Sequence, residues 1–531
     1  MRAARRSPAG RRPVHSLFLS TQLLSIDGND CPQPSKKIML GATLLEVSVA
    51  MDVVVLGCGV AGLSAAVSAA EHGARVIVLE RAPARDRGGN SRYTSAWMRM
   101  SSPDDVSDDL VDLLVERGHG AIPPDYVDTT TRDVAAWPPN VRSYPFNDPE
   151  VIDALVTNAP PTMHWLAGHG IGFTYYEPAL LETGSVRMGP SGGGLAIVET
   201  LVGVAERLGV EVQYETTGRG LLFDDTGAIR GVRCWSRHRG GFDIEAPNVV
   251  VASGGFQGNV EMMTRYVGRH AHFARPVSAG GRYNKGEGID MMLAAGAAPA
   301  GQYDMFHACP MDPRSTHPEP MVGVVNFGIL VDDRGHRFLD EGTDRYELFY
   351  DEVAWTVMRR RNGLAWFLFD QRLLDVPNVR SRIHTDVDPV RGSSIADLAA
   401  RIGVPTGALE RTVRAYNAAA GPPGPYDVSR LDGVGTEGLV PPKSNWARPL
   451  DESDLYAYPI MCGSTFTCGG VKITKHAEVV NNDGDVIPGL FAAGETTGLY
   501  YNLYVGATSV LRGLVFGREA GRRIGELRAK R

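Results

Sequence analysis

Residues 51 to 80, MDVVVLGCGVAGLSAAVSAAEHGARVIVLE, constrain this chain more than any other stretch. A short apolar run ends in glycines, small residues follow at helical length, and a second apolar run closes on an acid. This is the alternation of a parallel strand, a helix packed close to it and a second strand. Gly57, Gly59 and Gly62 satisfy GxGxxG. The first glycine allows the tight turn, the second lets backbone approach a pyrophosphate, and the third lets helix and strand touch. The free amides and positive end of the helix favour an anion, so Val60 and Ala61 in its first turn join the glycines as candidate cofactor contacts. Glu80 closes the second strand, where a carboxylate accepts both ribose hydroxyls and repels a 2′-phosphate. Arg81 follows it in the same candidate site.

The remainder of the chain narrows the class. With 531 residues, 43% hydrophobic and 22% charged, it can bury a large core and divide into two or three domains. A net charge of -7 gives no general attraction to nucleic acid. No uninterrupted apolar run reaches the roughly 18 residues of a membrane span. Six scattered cysteines without a CxxC pair fit a reducing, cytoplasmic compartment, leaving open a peripheral place at a membrane through a partner. Cys462 and Cys468 flank glycines without nearby partners, so no metal site is expected.

Residues 1–50 show no helical or strand period. Five arginines and no acid fall within the first 26, as in a transit-like leader. The stronger expectation is a non-native or disordered extension, with Met51 as the true start. Residues 51–300 are expected to hold the first part of a Rossmann-like α/β cofactor domain. GLAIVETLVGVAERLG reads as a helix, and VEVQYETT, residues 228–232 and NVVVASGGF read as strands. Residues 301–462 lose the βα rhythm and read as an inserted α+β capping domain. Its Pro- and Gly-rich part, residues 418–449, is expected to be an extended surface segment. Residues 463–531 return to the first domain through the strand VIPGLFAAGE, followed by a helix.

The nucleotide loop alone does not distinguish NAD from FAD. Two further stretches do: RGGNSRYTSAWMRM, with Gly88, Gly89, Asn90 and Ser91, and IPGLFAAGETTG, with Gly494 and Glu495 suited to ribityl hydroxyls. Together with ASGGFQGN, which contains Gly254, NKGEGIDMMLAAGA and GHRFLDEG, they make the chain from Asp52 to about Gly521 resemble the flavoprotein family of fumarate reductases, succinate dehydrogenases and ketosteroid dehydrogenases. Within it the likeness is to the FAD-dependent tricarballylate dehydrogenase branch. The resemblance implies hydride transfer between a substrate carbon and flavin N5, with proton transfer at the neighbouring carbon.

It also implies where to look. His307 falls at the family's substrate-binding histidine and Arg345 at the proton-transferring arginine, within one residue. Two family groups are replaced: Phe466 stands where fumarate reductases have a histidine, and Tyr504 where they have the substrate-clamping arginine. Tyr504 is a candidate catalytic phenol, and Thr465, Phe466 and Thr467 are candidate substrate contacts. A helix start near Ala507 to Leu511, capped by the hydroxyls of Thr508 and Ser509, is expected to aim its dipole at the flavin. With no histidine between Gly88 and Met100, FAD is expected to be non-covalent.

The leading expectation is desaturation of tricarballylate or a related carboxylate, electrons passing to a separate acceptor protein or quinone. The alternatives are an enoate reductase or ketosteroid dehydrogenase-like enzyme and, from another class, a non-catalytic FAD-containing electron-transfer subunit.

Overall fold

The computed structural model describes residues 51–107, 109–114, 148–176, 187–344, 346–502 and 504–530. The expectations for residues 1–50 and for Arg345 lie outside them. The framing elements, in chain order, are β1 Val53–Leu56, α1 Val60–Glu71, β2 Val76–Leu79, β3 Glu211–Gln213, β4 Val249–Val251, β5 Phe306–Met311, β6 Ile329–Val331, α2 Tyr346–Met358, β7 Leu364–Asp370, β8 Leu455–Thr467, β9 Glu478–Val480, β10 Val486–Ala492 and α3 Ser509–Ala529.

The first sheet has the order β9-β10-β4-β1-β2-β3. All its neighbours are parallel except β9 with β10. Every residue of β1, β2 and β4 is buried, as expected of apolar strands covered on both faces. α1 packs along α3. Gly517 and Gly521, four residues apart, let the axes approach: a Cβ at Gly517 would lie 2.3 Å from the Ala61 carbonyl oxygen, and one at Gly521 2.5 Å from that of Ala65.

β8, thirteen residues long, is the spine of the second sheet. It pairs antiparallel with β5, β7 and Val390–Gly392, and parallel with Arg275–Pro276, while β6 lies beyond β7. An aromatic core including Phe367, Phe369, Tyr456, Tyr458 and Trp446 sits against it. The β5–β8 register slips between His307 and Ala308, a bulge of the kind that re-aims side chains beside functional sites.

Three local expectations change. The strand expected over residues 210–217 is two, β3 and Thr216–Phe223. VIPGLFAAGE runs not directly into a helix but into a single 3-10 turn, Gly494–Thr496; the helix itself starts at Ser509, within the expected Ala507 to Leu511. Residues 420–454 are irregular, but not merely superficial. Trp446 and Lys443 are fully buried, and the Lys443 ammonium donates to the Asn326 carbonyl at 2.5 Å.

Candidate active site

One elongated cavity runs from the β1–α1 turn to the N-terminus of α3. Its free space, open mouth included, is about 1270 Å³. Gly57, Gly59, Val60, Ala61, Glu80 and Arg81 line it at one end. Gly57 has φ +107, and a Cβ there would meet the Ala252 carbonyl oxygen at 2.4 Å, so only glycine fits the turn. Gly62 does not line the cavity; its missing Cβ leaves room for the Gly57 carbonyl oxygen, 2.0 Å from where the Cβ would stand. The Glu80 carboxylate accepts the Cys58 and Ala82 amides at 2.9 and 2.7 Å, which fixes it at the end of β2. Burial raises its pKa, and those amides pull it back. Arg81 donates to Tyr283 O at 3.0 Å and pairs with Glu287.

Gly88, Gly89, Asn90 and Ser91 form the middle wall. The Ser91 hydroxyl accepts the Val60 amide at 3.3 Å, folding this turn onto α1. Asn90 accepts from Ser278 at 2.7 Å and donates to Thr465 O at 2.5 Å, tying the turn to β8. Opposite stand Gly254, Gly494 and Glu495. Glu495 accepts from the Thr467 amide at 2.9 Å and from Asn284 at 3.0 Å; burial pushes its carboxyl up from 4.5 to about 7. The glycine-lined turn at a helix start, with the carboxylate of Glu80 at one end and that of Glu495 at the other, suits an adenine dinucleotide with free ribose and ribityl hydroxyls.

A compact aromatic group adjoins the far end. The His307 ring centroid lies 4.3 Å from Tyr504 and 5.2 Å from Phe466, and Phe466 lies 4.8 Å from Tyr504. His307 is held at both nitrogens: Nδ1 faces Asp351 at 3.0 Å and Nε2 faces the Tyr350 hydroxyl at 3.1 Å. A carboxylate only accepts, so Nδ1–H donates to Asp351. The Tyr504 oxygen accepts the Thr508 and Ser509 amides, both at 3.3 Å, and its hydroxyl donates to Ser509 Oγ at 3.2 Å. A phenol thus caps α3. The preceding loop is strained, Ala507 having φ +64, and Arg99 holds it by donating its amide to Ala507 O and its Nε to Gly506 O.

Several expected contacts land elsewhere. Thr508 caps nothing with its side chain: its hydroxyl donates to Val505 O at 2.5 Å and pairs with Tyr500 at 2.7 Å, away from the cavity. Leu511 is buried in the core because the cavity face of α3 carries Ser509, Val510, Arg512 and Gly513. Thr467 turns inward, its hydroxyl accepting the Phe256 amide at 3.2 Å, whereas Thr465 and Phe466 reach the cavity. Sequence reasoning missed Tyr350, Asp351, Glu319 and Arg512. Glu319 lines the cavity with φ +54; burial pushes its carboxyl to about 7 against hydrogen bonds from the Ser95 amide and the Thr94 hydroxyl. Arg512 carried a readable signal, a lone charge in the apolar turn SVLRGLVF.

Among the described residues no helix is long and apolar enough to cross a membrane, and no cluster of three or more His, Cys, Asp or Glu could hold a metal. The chain is 28% identical over 491 residues to a cytochrome-type fumarate reductase of Shewanella frigidimarina, covering 89% of this chain and 76% of that protein. It is 27% identical to a 4-oxocyclohexanecarboxylate 2-dehydrogenase of Sinomonas cyclohexanicum, covering 89% and 92%. The fold is similar to that of the open conformation of a flavocytochrome c3 fumarate reductase, with TM-score 0.69, 23% identity and coverage of 90% and 78%. Residues 52–510 match the FAD binding domain family, and the chain, whose glycine cradle and paired carboxylates suit that cofactor, belongs to it.

Proposed function

We propose that the protein is an FAD-dependent dehydrogenase that desaturates a CH–CH bond next to a carbonyl, with a cyclic oxo acid or ketone as substrate. The broader class is an FAD-dependent oxidoreductase acting on CH–CH groups. The observation that carries the narrower reading is Tyr504: a phenol, where the resemblance places an arginine in fumarate reductases, fixed on the amides of α3 between Phe466 and His307. A neutral donor in an aromatic wall suits a carbonyl oxygen on an apolar ring, whereas a polycarboxylate needs closely placed cations. The Sinomonas dehydrogenase named above points the same way.

FAD, held non-covalently by the cradle, supplies the hydride acceptor. Tyr504 turns its hydroxyl from Ser509 to the substrate carbonyl while two amides keep its oxygen in place. That polarisation acidifies the adjacent C–H. His307, locked by Asp351 and Tyr350, fixes the Tyr504 ring. Glu319, whose carboxyl titrates near 7, is a proton carrier at the wall. Residues 301–462 act as the cap over the 51–300 and 463–531 portions. A separate acceptor protein or quinone reoxidises the flavin.

Anaerobic mixing of the yellow holoprotein with 4-oxocyclohexanecarboxylate, cyclohexanone, succinate or tricarballylate tests this. The oxo compounds should bleach the flavin, and Tyr504→Phe should slow bleaching about 10²-fold with FAD content unchanged. Bleaching by tricarballylate alone would return the substrate to the branch that the sequence resembles. No bleaching by any donor, with no reoxidation of reduced protein by enones, would leave an electron-transfer subunit.

A further inference from the structure

We propose that Arg512 is the charge that stabilises the reduced flavin, a tuning residue set in the first turn of α3. The inference rests on FAD occupying the cavity and not on the substrate assignment. Arg512 is 1% exposed, yet it lines the cavity beside Ser509, Val510 and Gly513. Its Nη1 donates to Thr497 O at 3.1 Å, and its Nε has no hydrogen-bond partner. The guanidinium carbon lies 4.7 Å from the Tyr500 ring centroid and 5.8 Å from that of Phe466. Aromatic faces recover part of the cost of burying such a cation, but they do not use the open N–H.

Part of the helix end is already engaged. Its Thr508 and Ser509 amides go to the Tyr504 oxygen, so the dipole of α3 is directed first at a phenol. Arg512 then faces the α3 end of the cavity as a fixed positive charge, Arg81 lying at the other end. A bound FAD would accept the hydrogen and electron pair of the substrate C–H bond that breaks, and would then carry one additional negative charge. The proton from the neighbouring substrate carbon departs separately. A guanidinium at the cavity wall stabilises that charge in a low-dielectric site far more than an exposed one would.

The test uses holoprotein and does not require turnover. Sulfite adds to flavin N5 and leaves the same negative charge, so its affinity reports the local field. With FAD still bound, Arg512→Met and Arg512→Gln should each weaken sulfite binding by about tenfold or more, and the flavin reduction potential should become more negative. Arg512→Lys, which keeps the charge, should recover most of both. Unchanged sulfite affinity and potential in FAD-loaded Met and Gln variants would overturn the proposal. So would failure of all three variants to retain FAD, which would make Arg512 a structural pin through Thr497.

Discussion

At the scale of single residues, the site is built from side chains that restrain one another. His307 looks in sequence like a group free to touch substrate, but in the fold both of its nitrogens are used, by Asp351 and Tyr350 of α2. In the function proposed above, its role is to orient its neighbours. Replacing Asp351 by Asn keeps the shape but offers Nδ1 an amide in place of a carboxylate. We expect Asp351→Asn to slow substrate-driven flavin bleaching in stopped flow by about 10²-fold, since misplacement of about 1 Å has that effect. FAD content and the resting spectrum should stay unchanged. Loss of FAD in this variant would instead show that the His307–Asp351 pair supports the fold.

Among the elements, the α1–α3 contact is the one that glycine makes possible. The cofactor turn at one end of α1 and the Tyr504-capped end of α3 are held together by two helices whose backbones meet at Gly517 and Gly521. Gly521→Val would force a side chain to within 2.5 Å of the Ala65 carbonyl oxygen, and it should destabilise the protein by about 1–3 kcal/mol or more. Gly513→Ala, whose Cβ would stand 3.2 Å from a Val60 methyl and 3.5 Å from Ala61, should cost much less. Thermal midpoints of the two variants, measured side by side, check the contrast. The GxGxxG turn and β1, β2 and β4 were legible in sequence because their constraints are local: steric demands at each glycine and unbroken apolar runs. The start of α3 was legible as well, Ser509 falling within the expected Ala507 to Leu511, but its cap was not: the Tyr504 phenol stands in for the expected hydroxyls, and the left-handed Ala507 is held by Arg99, far away in sequence.

At the scale of the whole molecule, the two sheets meet where β8 ends beside Glu495, whose carboxyl titrates near 7. A carboxyl with its folded pKa raised above its unfolded value binds more protons in the native state. Its stabilising contribution is full below about 4.5 and is lost as pH rises to about 7, flattening above. The FAD-free protein should therefore lose thermal stability across that window relative to Glu495→Gln, in which the difference disappears. Parallel pH dependence of the two melting curves would show that Glu495 is not the titrating group.

The sequence by itself determined that the chain is an α/β dinucleotide-binding protein, because the turn, the close helix and the acid after β2 are read within thirty consecutive residues, and the stretches around Gly88 to Ser91 and Gly494 to Glu495 made that dinucleotide FAD. Its resemblance to the family also implies that Phe466 and Tyr504 stand where fumarate reductases have a histidine and an arginine. It could not decide which hydroxyls face the cavity. Thr465 and Thr467, alike in sequence, divide between wall and interior. Nor could it join Arg512, Glu319, Tyr350 and Asp351 to one site, since they come from α3, the segment between β5 and β6, and α2, which adjoin only after the sheets and helices have packed. The physical reason is range: backbone sterics and apolar periodicity act between neighbours in the chain, whereas burial, aromatic packing and the sharing of hydrogen bonds are set by neighbours in space.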